Sequence, residues 1–162
     1  MDELKLIRLS PALAGEIAAY RAEFPADRPR VTLEPDRVPG LDHLEEYGGV
    51  SSWLQYCESM AGKITWYAAV RKSDGKMVGA FCFRHRLEYD DDDPAFCSHF
   101  GYSIRPGERR KGYAKEQLRL GLLEAKALGL RTVRVICRDI NTGSVKTILA
   151  NGGVYVDTLH GV

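Results

Sequence analysis

The segment YSIRPGERRKGYA, from Tyr102 to Ala114, constrains the fold most, because it predicts a strand, a basic turn and a helix in immediate succession. The strand ends at Ile104 and the helix begins near Gly112. At a helix start the first N–H groups have no partner within the helix, and the helix dipole is positive there. Gly112 has no Cβ, so a ligand can approach the main chain closely. The segment therefore predicts a turn that binds phosphate or pyrophosphate.

The positive charge of this turn is local. Arg109, Arg110 and Lys111 follow one another in it, whereas the whole chain has a formal net charge of +1. A nearly neutral chain has no global field that attracts nucleic acid, so we expect no nucleic-acid partner. An exposed basic turn without a ligand is the alternative interpretation of these three cations.

Two other phosphate-binding motifs are excluded. Gly107 and Gly112 have the spacing of a P-loop, but Tyr113 and Ala114 stand where that motif requires Lys and then Ser or Thr. The G-x-G-x-x-G fingerprint of dinucleotide-binding folds is absent as well. We therefore expect neither nucleoside triphosphate hydrolysis nor NAD binding.

The rest of the sequence predicts an α/β protein in which residues 1–162 form one domain. The predicted strands are 4–9, 64–71, 77–84, 95–104, 132–137 and 154–158, and the predicted helices start at Ser10-Pro11 and cover 41–47, 51–60, 112–128 and 144–150. Asp74-Gly75 is the strongest hairpin signal, and Gly129 suits the left-handed residue that ends a helix. Residues 25–40 are rich in proline and charge and predict a long surface loop.

The cysteines and acidic residues do not predict a metal site. Cys57, Cys82, Cys97 and Cys137 are widely spaced without a C-x-x-C pair, which is typical of reduced, buried thiols. The acidic run 90–93 is interpreted as a solvated loop, because one turn cannot point four adjacent carboxylates inward. No signal peptide and no apolar stretch of membrane-spanning length is present, so we expect a cytoplasmic protein without a membrane partner.

The residues Arg109-Arg-Lys-Gly112-Tyr-Ala114 match the R/Q-x-x-G-x-G/A signature of the GCN5-related N-acetyltransferase (GNAT) superfamily. The order of strand, signature turn, long helix, strand and then Asn141 with a short helix strengthens the match. The sequence resembles a bacterial branch of that superfamily well over 77–158, and by element order before that. The resemblance implies a GNAT-like single domain, with a central mixed, mostly antiparallel twisted sheet flanked by helices.

The resemblance also implies acetyl-coenzyme A as co-substrate, with no metal. In the family the pantetheine arm runs beside the strand that here ends near residues 102–105, and the pyrophosphate sits on the amides of residues 110–114. Asn141 matches the asparagine of the family's second motif, and Ser144 occupies the small-residue position after it. The implied cofactor-binding residues are Tyr102, Ile104, Arg105, Arg109, Arg110, Lys111, Gly112, Tyr113, Ala114, Asn141 and Ser144.

The chemistry that the resemblance implies is direct attack of a primary amine on the acetyl thioester in a ternary complex. A main-chain N–H near Ile104 polarises the thioester carbonyl, and a base takes the proton of the amine. Ile148 stands where many relatives have a tyrosine acid, and Ser98 where some have a glutamate base. His85, with Glu88 nearby, and His99 are the candidate bases. A non-catalytic acyl-coenzyme A-binding or scaffold module on the same fold is the alternative.

The acceptor and the oligomeric state are less constrained. The resemblance implies that the acceptor is a small-molecule or peptide amine and that residues 25–60 and 87–94 select it. Candidates to line the cleft or to form plain core are Tyr47, Trp53, Tyr56 and Tyr89. The family closes its sheet with one more strand after 154–158, and only 159–162 follow here. We expect that strand to be absent, to come from another chain, or to lie beyond this sequence. An uncovered sheet edge favours pairing, so we predict a homodimer.

Overall fold

An antiparallel sheet of four strands forms the centre of the computed structural model, which describes residues 2–25, 37–87 and 98–158. Its strands are β1 (Leu4–Arg8), β2 (Ile64–Arg71), β3 (Met77–Arg84) and β4 (Phe100–Ile104), and its helices are α1 (Ala14–Ala22), α2 (Val50–Ser59), α3 (Tyr113–Ala127) and α4 (Thr142–Ala150). Short 3₁₀ turns cover Pro11–Leu13, Leu44–Glu46 and Pro106–Glu108. The prediction of an α/β fold with a mostly antiparallel sheet is confirmed.

The strands follow chain order, β1-β2-β3-β4, so β4 lies at an edge of this sheet. The hairpin between β2 and β3 turns at Asp74-Gly75, as predicted. Gly75 has a φ of 75°, and Asp74 Oδ1 accepts a hydrogen bond of 3.1 Å from the Lys76 N–H. The register between β3 and β4 pairs Phe83 with Phe100 at one end, and ends at Gly79 and Ile104.

Helices cover both faces of the sheet, and the alternation of β3 separates the two cores. Ala80 and Cys82 belong to a cluster with α1 and α2 that contains Ile17, Tyr20, Trp53 and Trp66. Phe81 and Phe83 point to the opposite face, into a cluster with Phe100, Leu118 and Ala125. Because β2 and β3 are buried on both faces, their sequences are nearly continuous apolar runs.

Helix α3 packs closely on β3. A Cβ added to Gly121 would lie 2.2 Å from a ring carbon of Phe81, so only glycine fits at this crossing. The helix begins after Gly112, whose φ is 86°, and is followed by Gly129, whose φ is 97°. The observed helix, Tyr113–Ala127, therefore agrees with the predicted helix 112–128 to within one residue at each end.

Two predicted strands are wrong, and the predicted helix 41–47 is only the 3₁₀ turn Leu44–Glu46. Two other elements are shorter than predicted. Neither 132–137 nor 154–158 is assigned as a strand, and Val154, Tyr155 and Val156 are 71–89% exposed. A strand requires a ladder of hydrogen bonds to a neighbour, and β-branched composition alone does not supply one. Strand β4 begins at Phe100, and the residues from 88 to 97 lie outside the described ranges. Ser10 makes no side-chain capping bond, and a 3₁₀ turn precedes α1.

No helix in the described ranges combines the length and the apolar character that a membrane crossing needs.

Candidate functional site

The turn between β4 and α3 has an unusual backbone. Arg109 is extended, with a φ of −72° and a ψ of 161°, and Arg110 follows with a φ of 61°. Gly112 also lies in the left-handed region, which favours glycine. Arg110 has a Cβ, so its left-handed backbone costs about 1–2 kcal/mol that the surrounding contacts must offset.

The N–H groups of this turn are open. Tyr113 is the first residue of a 15-residue helix, and no side chain caps it. Within the described part of the chain, no group accepts a hydrogen bond from the N–H of residues 110–114. Several unpaired N–H groups converging at the positive end of a long helix form an anion site. The arrangement fits a phosphate or a pyrophosphate.

Glu108 organises the cations of the turn, and it is not among the site residues predicted from the sequence. Its side chain is 7% exposed and accepts hydrogen bonds from Lys111 (2.8 Å), Arg71 (3.0 Å) and Lys76 (3.0 Å). Lys111 and Lys76 lower the pKa of Glu108 to about 2. Lys111 is therefore held by an internal partner. The available signal was a single acid inside a basic run, three residues before Lys111.

Two of the three predicted arginines, Arg105 and Arg109, contact other parts of the protein. Arg109 Nε donates a hydrogen bond of 3.3 Å to the Ile104 carbonyl, and its guanidinium lies 5.7 Å from the centre of the Phe24 ring. Arg105 is 5% exposed, and its guanidinium lies 5.6 Å from the centre of the Tyr20 ring. The Arg105 side chain thus points to α1, away from the open turn.

The free edge of β4 leads to this turn. Arg84 N–H donates to the His99 carbonyl and Arg105 N–H donates to the Val78 carbonyl, both at 2.8 Å. Peptide groups alternate along an antiparallel strand, so those of Phe100, Tyr102 and Ile104 point away from β3. In the described ranges, no backbone hydrogen bond covers them on that side. An extended ligand can pair there as an added strand.

The segment 132–138 contacts only the beginning of this edge. His99 N–H donates to the Arg134 carbonyl at 2.9 Å, and Ile136 N–H donates to Ser98 Oγ at 3.2 Å. Beyond this point a gap separates the free edge of β4 from the segment 132–138 and from α4. The side chains of Tyr102 and Ser144 bridge this gap, and their hydroxyl oxygens lie 2.9 Å apart. Burial raises the pKa of Tyr102 to about 12. The gap opens from residue 99 toward the turn.

Helix α4 presents the second predicted motif to this gap. Asn141 Oδ1 accepts a hydrogen bond of 3.2 Å from the Ser144 N–H and caps the helix. The capping bond uses the oxygen of the Asn141 amide and leaves its NH₂ group as a donor. Asn141 and Ser144 therefore lie across the gap from Tyr102, as a shared site requires.

The two candidate bases lie at the far end of the strands from the turn, and their rings are engaged. His99 Nδ1 accepts the Arg134 N–H at 2.9 Å, so this nitrogen has no free lone pair. Burial also lowers the pKa of His99. His85 Nδ1 lies 3.1 Å from the Gly62 carbonyl, which can only accept, and His85 Nε2 lies 2.8 Å from Thr65 Oγ1. Glu88 lies outside the described residues.

The positions that differ from the family pattern have structural partners. Ile148 packs against the aromatic cluster of α3 and β3. Ser98 Oγ donates to the Phe100 carbonyl at 2.9 Å. The acidic run 90–93 and Tyr89 lie outside the described ranges, and within those ranges no three His, Cys, Asp or Glu side chains are grouped to hold a metal.

The model of the acetyltransferase (GNAT) domain family matches residues 7–154. A search of curated protein sequences found no match.

Solved structures share the fold. Aminoglycoside acetyltransferase AAC(6')-Iy, in complex with the bisubstrate analogue CoA-S-monomethyl-acetylneamine, is 15% identical, with 99% of this chain and 97% of that chain covered and a TM-score of 0.64. AAC(6')-Ig from Acinetobacter haemolyticus is 16% identical, with 99% and 96% covered and a TM-score of 0.58. AAC(6')-Ib, in complex with paromomycin and acetyl-CoA, is 15% identical, with 93% and 82% covered and a TM-score of 0.54.

Proposed function

The chain belongs to the acetyltransferase (GNAT) domain family, and from that premise we propose that it transfers the acetyl group of acetyl-CoA to a primary amine. The observation that carries the proposal is the continuity of two open surfaces. The uncovered edge of β4 runs directly into the turn whose N–H groups at 110–114 have no partner among the described residues. Together they suit an extended thioester carrier that ends in a diphosphate.

Different residues would contact different parts of the cofactor. The amides of residues 110–114 would hold the pyrophosphate, and Arg110 would add charge. The peptide groups of Tyr102 and Ile104 would pair with the amide groups of the pantetheine arm. The Asn141 NH₂ group and Ser144 would contact the arm from α4. Lys111 would act mainly through Glu108, because its ammonium group already binds that carboxylate.

The reaction is a direct transfer. The amine nitrogen attacks the thioester carbon, a C–N bond forms and the C–S bond breaks. One proton leaves the nitrogen and one proton reaches the sulfur, so the products are an amide and free coenzyme A. A main-chain N–H on the free edge of β4 would stabilise the charge that develops on the carbonyl oxygen. His85 and His99 remain proposals for the base.

Acetyl-CoA binding and thiol release test the proposal. Acetyl-CoA at 100 times its Kd should stabilise the protein by about 2.7 kcal/mol, because it binds the native state. A panel of primary amines should then release coenzyme A thiol. Gly112→Val should abolish the thermal shift, since a β-branched residue disfavours the left-handed backbone. Absence of any shift in the wild-type protein at millimolar acetyl-CoA would contradict the proposal.

A second candidate function is a non-catalytic acyl-CoA-binding module. Ile148 and Ser98, where relatives often carry an acid and a base, favour it, since both side chains have structural roles here. This function predicts the thermal shift without thiol release for every amine tested.

Acceptor, assembly and location stay predictions. The structural neighbours reported above are aminoglycoside acetyltransferases, which is why small amines belong in the test panel beside peptides. A homodimer is supported by the exposed apolar row Val154, Tyr155 and Val156. A cytoplasmic location rests on the sequence alone.

A further inference from the structure

Asp42 lies directly above the middle of β4, on the face of the sheet that α1 and α2 cover. A Cβ built on Gly101 would lie 3.4 Å from Asp42 Oδ2 and 3.6 Å from Oδ1. Gly101 has no side chain, so no atom fills the position beside the carboxylate that a Cβ would occupy. Phe100 and Tyr102, the neighbours of Gly101, have peptide groups that point to the free edge of β4. A carboxylate therefore stands over the stretch of strand that the proposed function assigns to the thioester arm.

The carboxylate is fixed in place. Its Oδ1 accepts a hydrogen bond of 3.3 Å from the Gly40 N–H, and the Asp42 carbonyl accepts one of 2.9 Å from Trp53 Nε1. Gly40 has a φ of 93°, and a Cβ there would lie 2.5 Å from the Ala80 carbonyl oxygen. The backbone before Asp42 is thus pressed against β3, which limits the movement of the carboxylate.

The carboxylate also remains accessible. The side chain of Asp42 is 22% exposed, and its Oδ2 accepts a hydrogen bond of 3.1 Å from Arg84. The buried thiol of Cys82 also donates a hydrogen bond to this carboxylate. A carboxylate has about four acceptor sites, so Gly40, Arg84 and Cys82 leave room for one further donor.

The opposite face of β4 is closed to an acceptor. The rings of Phe81 and Phe100 pack there with centroids 4.8 Å apart, and the ring of Tyr102 stacks on Phe81. The Tyr102 hydroxyl is bonded to Ser144 on the same side. An acceptor can therefore reach the middle of β4 from the face that carries Asp42.

We propose that Asp42 binds the acceptor amine and receives its proton, an inference that rests on the proposed acetyl transfer. The acceptor is a primary amine that is cationic in solution, and the negative charge attracts it to the site. Nitrogen becomes positive as the C–N bond forms, so the carboxylate stabilises the transition state more than the neutral amine. The bound ammonium first loses one proton through Asp42 to solvent, and the neutral amine then attacks the thioester carbon. The second proton passes from nitrogen to Asp42 and then to solvent as the C–N bond forms, while the C–S bond breaks and the thiolate takes a proton from solvent.

The alternative is that Asp42 only pairs with Arg84 and holds its own segment. The two roles give different results in a set of variants. Asp42→Asn keeps the size of the side chain and the oxygen that accepts the Gly40 N–H, but it removes the negative charge. Arg84→Gln breaks the ion pair and leaves the carboxylate. Gly101→Ala narrows the space between Asp42 and the strand and leaves the ion pair. Glu46→Gln is the control for loss of a carboxylate in the same segment.

Each variant is assayed for its acetyl-CoA thermal shift and for thiol release with spermidine, paromomycin, lysine methyl ester and a peptide with a free N-terminus. We expect Asp42→Asn to lower kcat/KM by about 100-fold, as loss of a proton acceptor does, with the thermal shift unchanged. Gly101→Ala should also lose transfer, and Arg84→Gln and Glu46→Gln should stay within about threefold of wild type.

Two outcomes would overturn the inference. Either Asp42→Asn retains wild-type kcat/KM, or Arg84→Gln loses as much as Asp42→Asn. If acetyl-CoA fails to stabilise the wild-type protein, or stabilises it while none of the four amines releases thiol, the proposed transfer itself fails, so the two failures are distinguishable.

Discussion

At the scale of single residues, the turn before α3 depends on Glu108. This buried carboxylate contacts Arg71 at the end of β2, Lys76 in the hairpin and Lys111 in the turn. It therefore joins three separate parts of the chain around the open N–H groups. Removing it would leave three cations close together without their shared partner, at the point where an anion is proposed to bind.

The first prediction concerns the pH dependence of stability. The folded pKa of Glu108, about 2, lies below its ordinary value of 4.5. Its contribution to stability is therefore complete above about pH 4.5 and is lost as the pH falls toward 2. Urea denaturation should show that Glu108→Gln is less stable than wild type at pH 7 and that the difference shrinks in acid. An equal change for the exposed Glu58→Gln would contradict the assignment.

The second prediction concerns the left-handed backbone of Arg110. Asparagine tolerates this conformation, whereas a β-branched residue does not. Arg110→Asn should keep the free energy of unfolding within about 0.5 kcal/mol of wild type, and Arg110→Val should lower it by about 1–2 kcal/mol. Chemical denaturation with an unchanged m-value checks this, and equal stability of the two variants would show that the turn changes its conformation.

At the scale of elements, close packing decides which glycines are required. Gly121 sits where α3 crosses Phe81, and Gly15 in α1 has no atom within 4 Å of the Cβ that it lacks. Both lie inside helices, where glycine costs roughly 1 kcal/mol relative to alanine. The first glycine therefore serves packing between α3 and the sheet, and the second has no packing role in the described structure.

The third prediction compares these two glycines. Gly121→Ala should lower the free energy of unfolding by about 1–3 kcal/mol or more, because the added methyl group overlaps the ring of Phe81. Gly15→Ala should raise it by about 0.5–1 kcal/mol through helix propensity. Thermal melts of the two variants give the comparison. A stabilised Gly121→Ala variant would mean that α3 lies further from the sheet.

At the scale of the whole molecule, the sheet ends in two edge strands, β1 on one side and β4 on the other. Among the described residues no backbone hydrogen bond covers the free edge of β4 from Phe100 to Ile104. The apolar row Val154, Tyr155 and Val156 is exposed as well. Open edges and apolar rows are surfaces that ligands or other chains cover.

The fourth prediction follows from that apolar row. Wild-type protein should sediment as a dimer, and Tyr155→Lys with Val156→Lys should shift it to a monomer, because charges oppose burial of the row. Glu58→Lys, on the outside of α2, is the control and should leave the dimer intact. A wild-type monomer at every concentration tested would exclude the homodimer.

Much of the fold was predictable because the signals are local. The Asp74-Gly75 turn and the ends of α3 at Gly112 and Gly129 depend on backbone preferences that each segment has by itself. The proposed anion-binding turn could also be predicted from the local sequence, because every helix start has unpaired N–H groups.

Only the tertiary structure decided the features that depend on distant residues. Whether 132–137 forms a strand depends on a partner that the segment does not contain, and its one backbone bond to His99 is too few for a ladder. Glu108 acquires three cations from positions as far apart as residues 71 and 111. Asp42 faces Gly101 only because the chain brings the segment after Gly40 onto β3. A sequence shows which side chains a segment offers, and packing determines which of them meet.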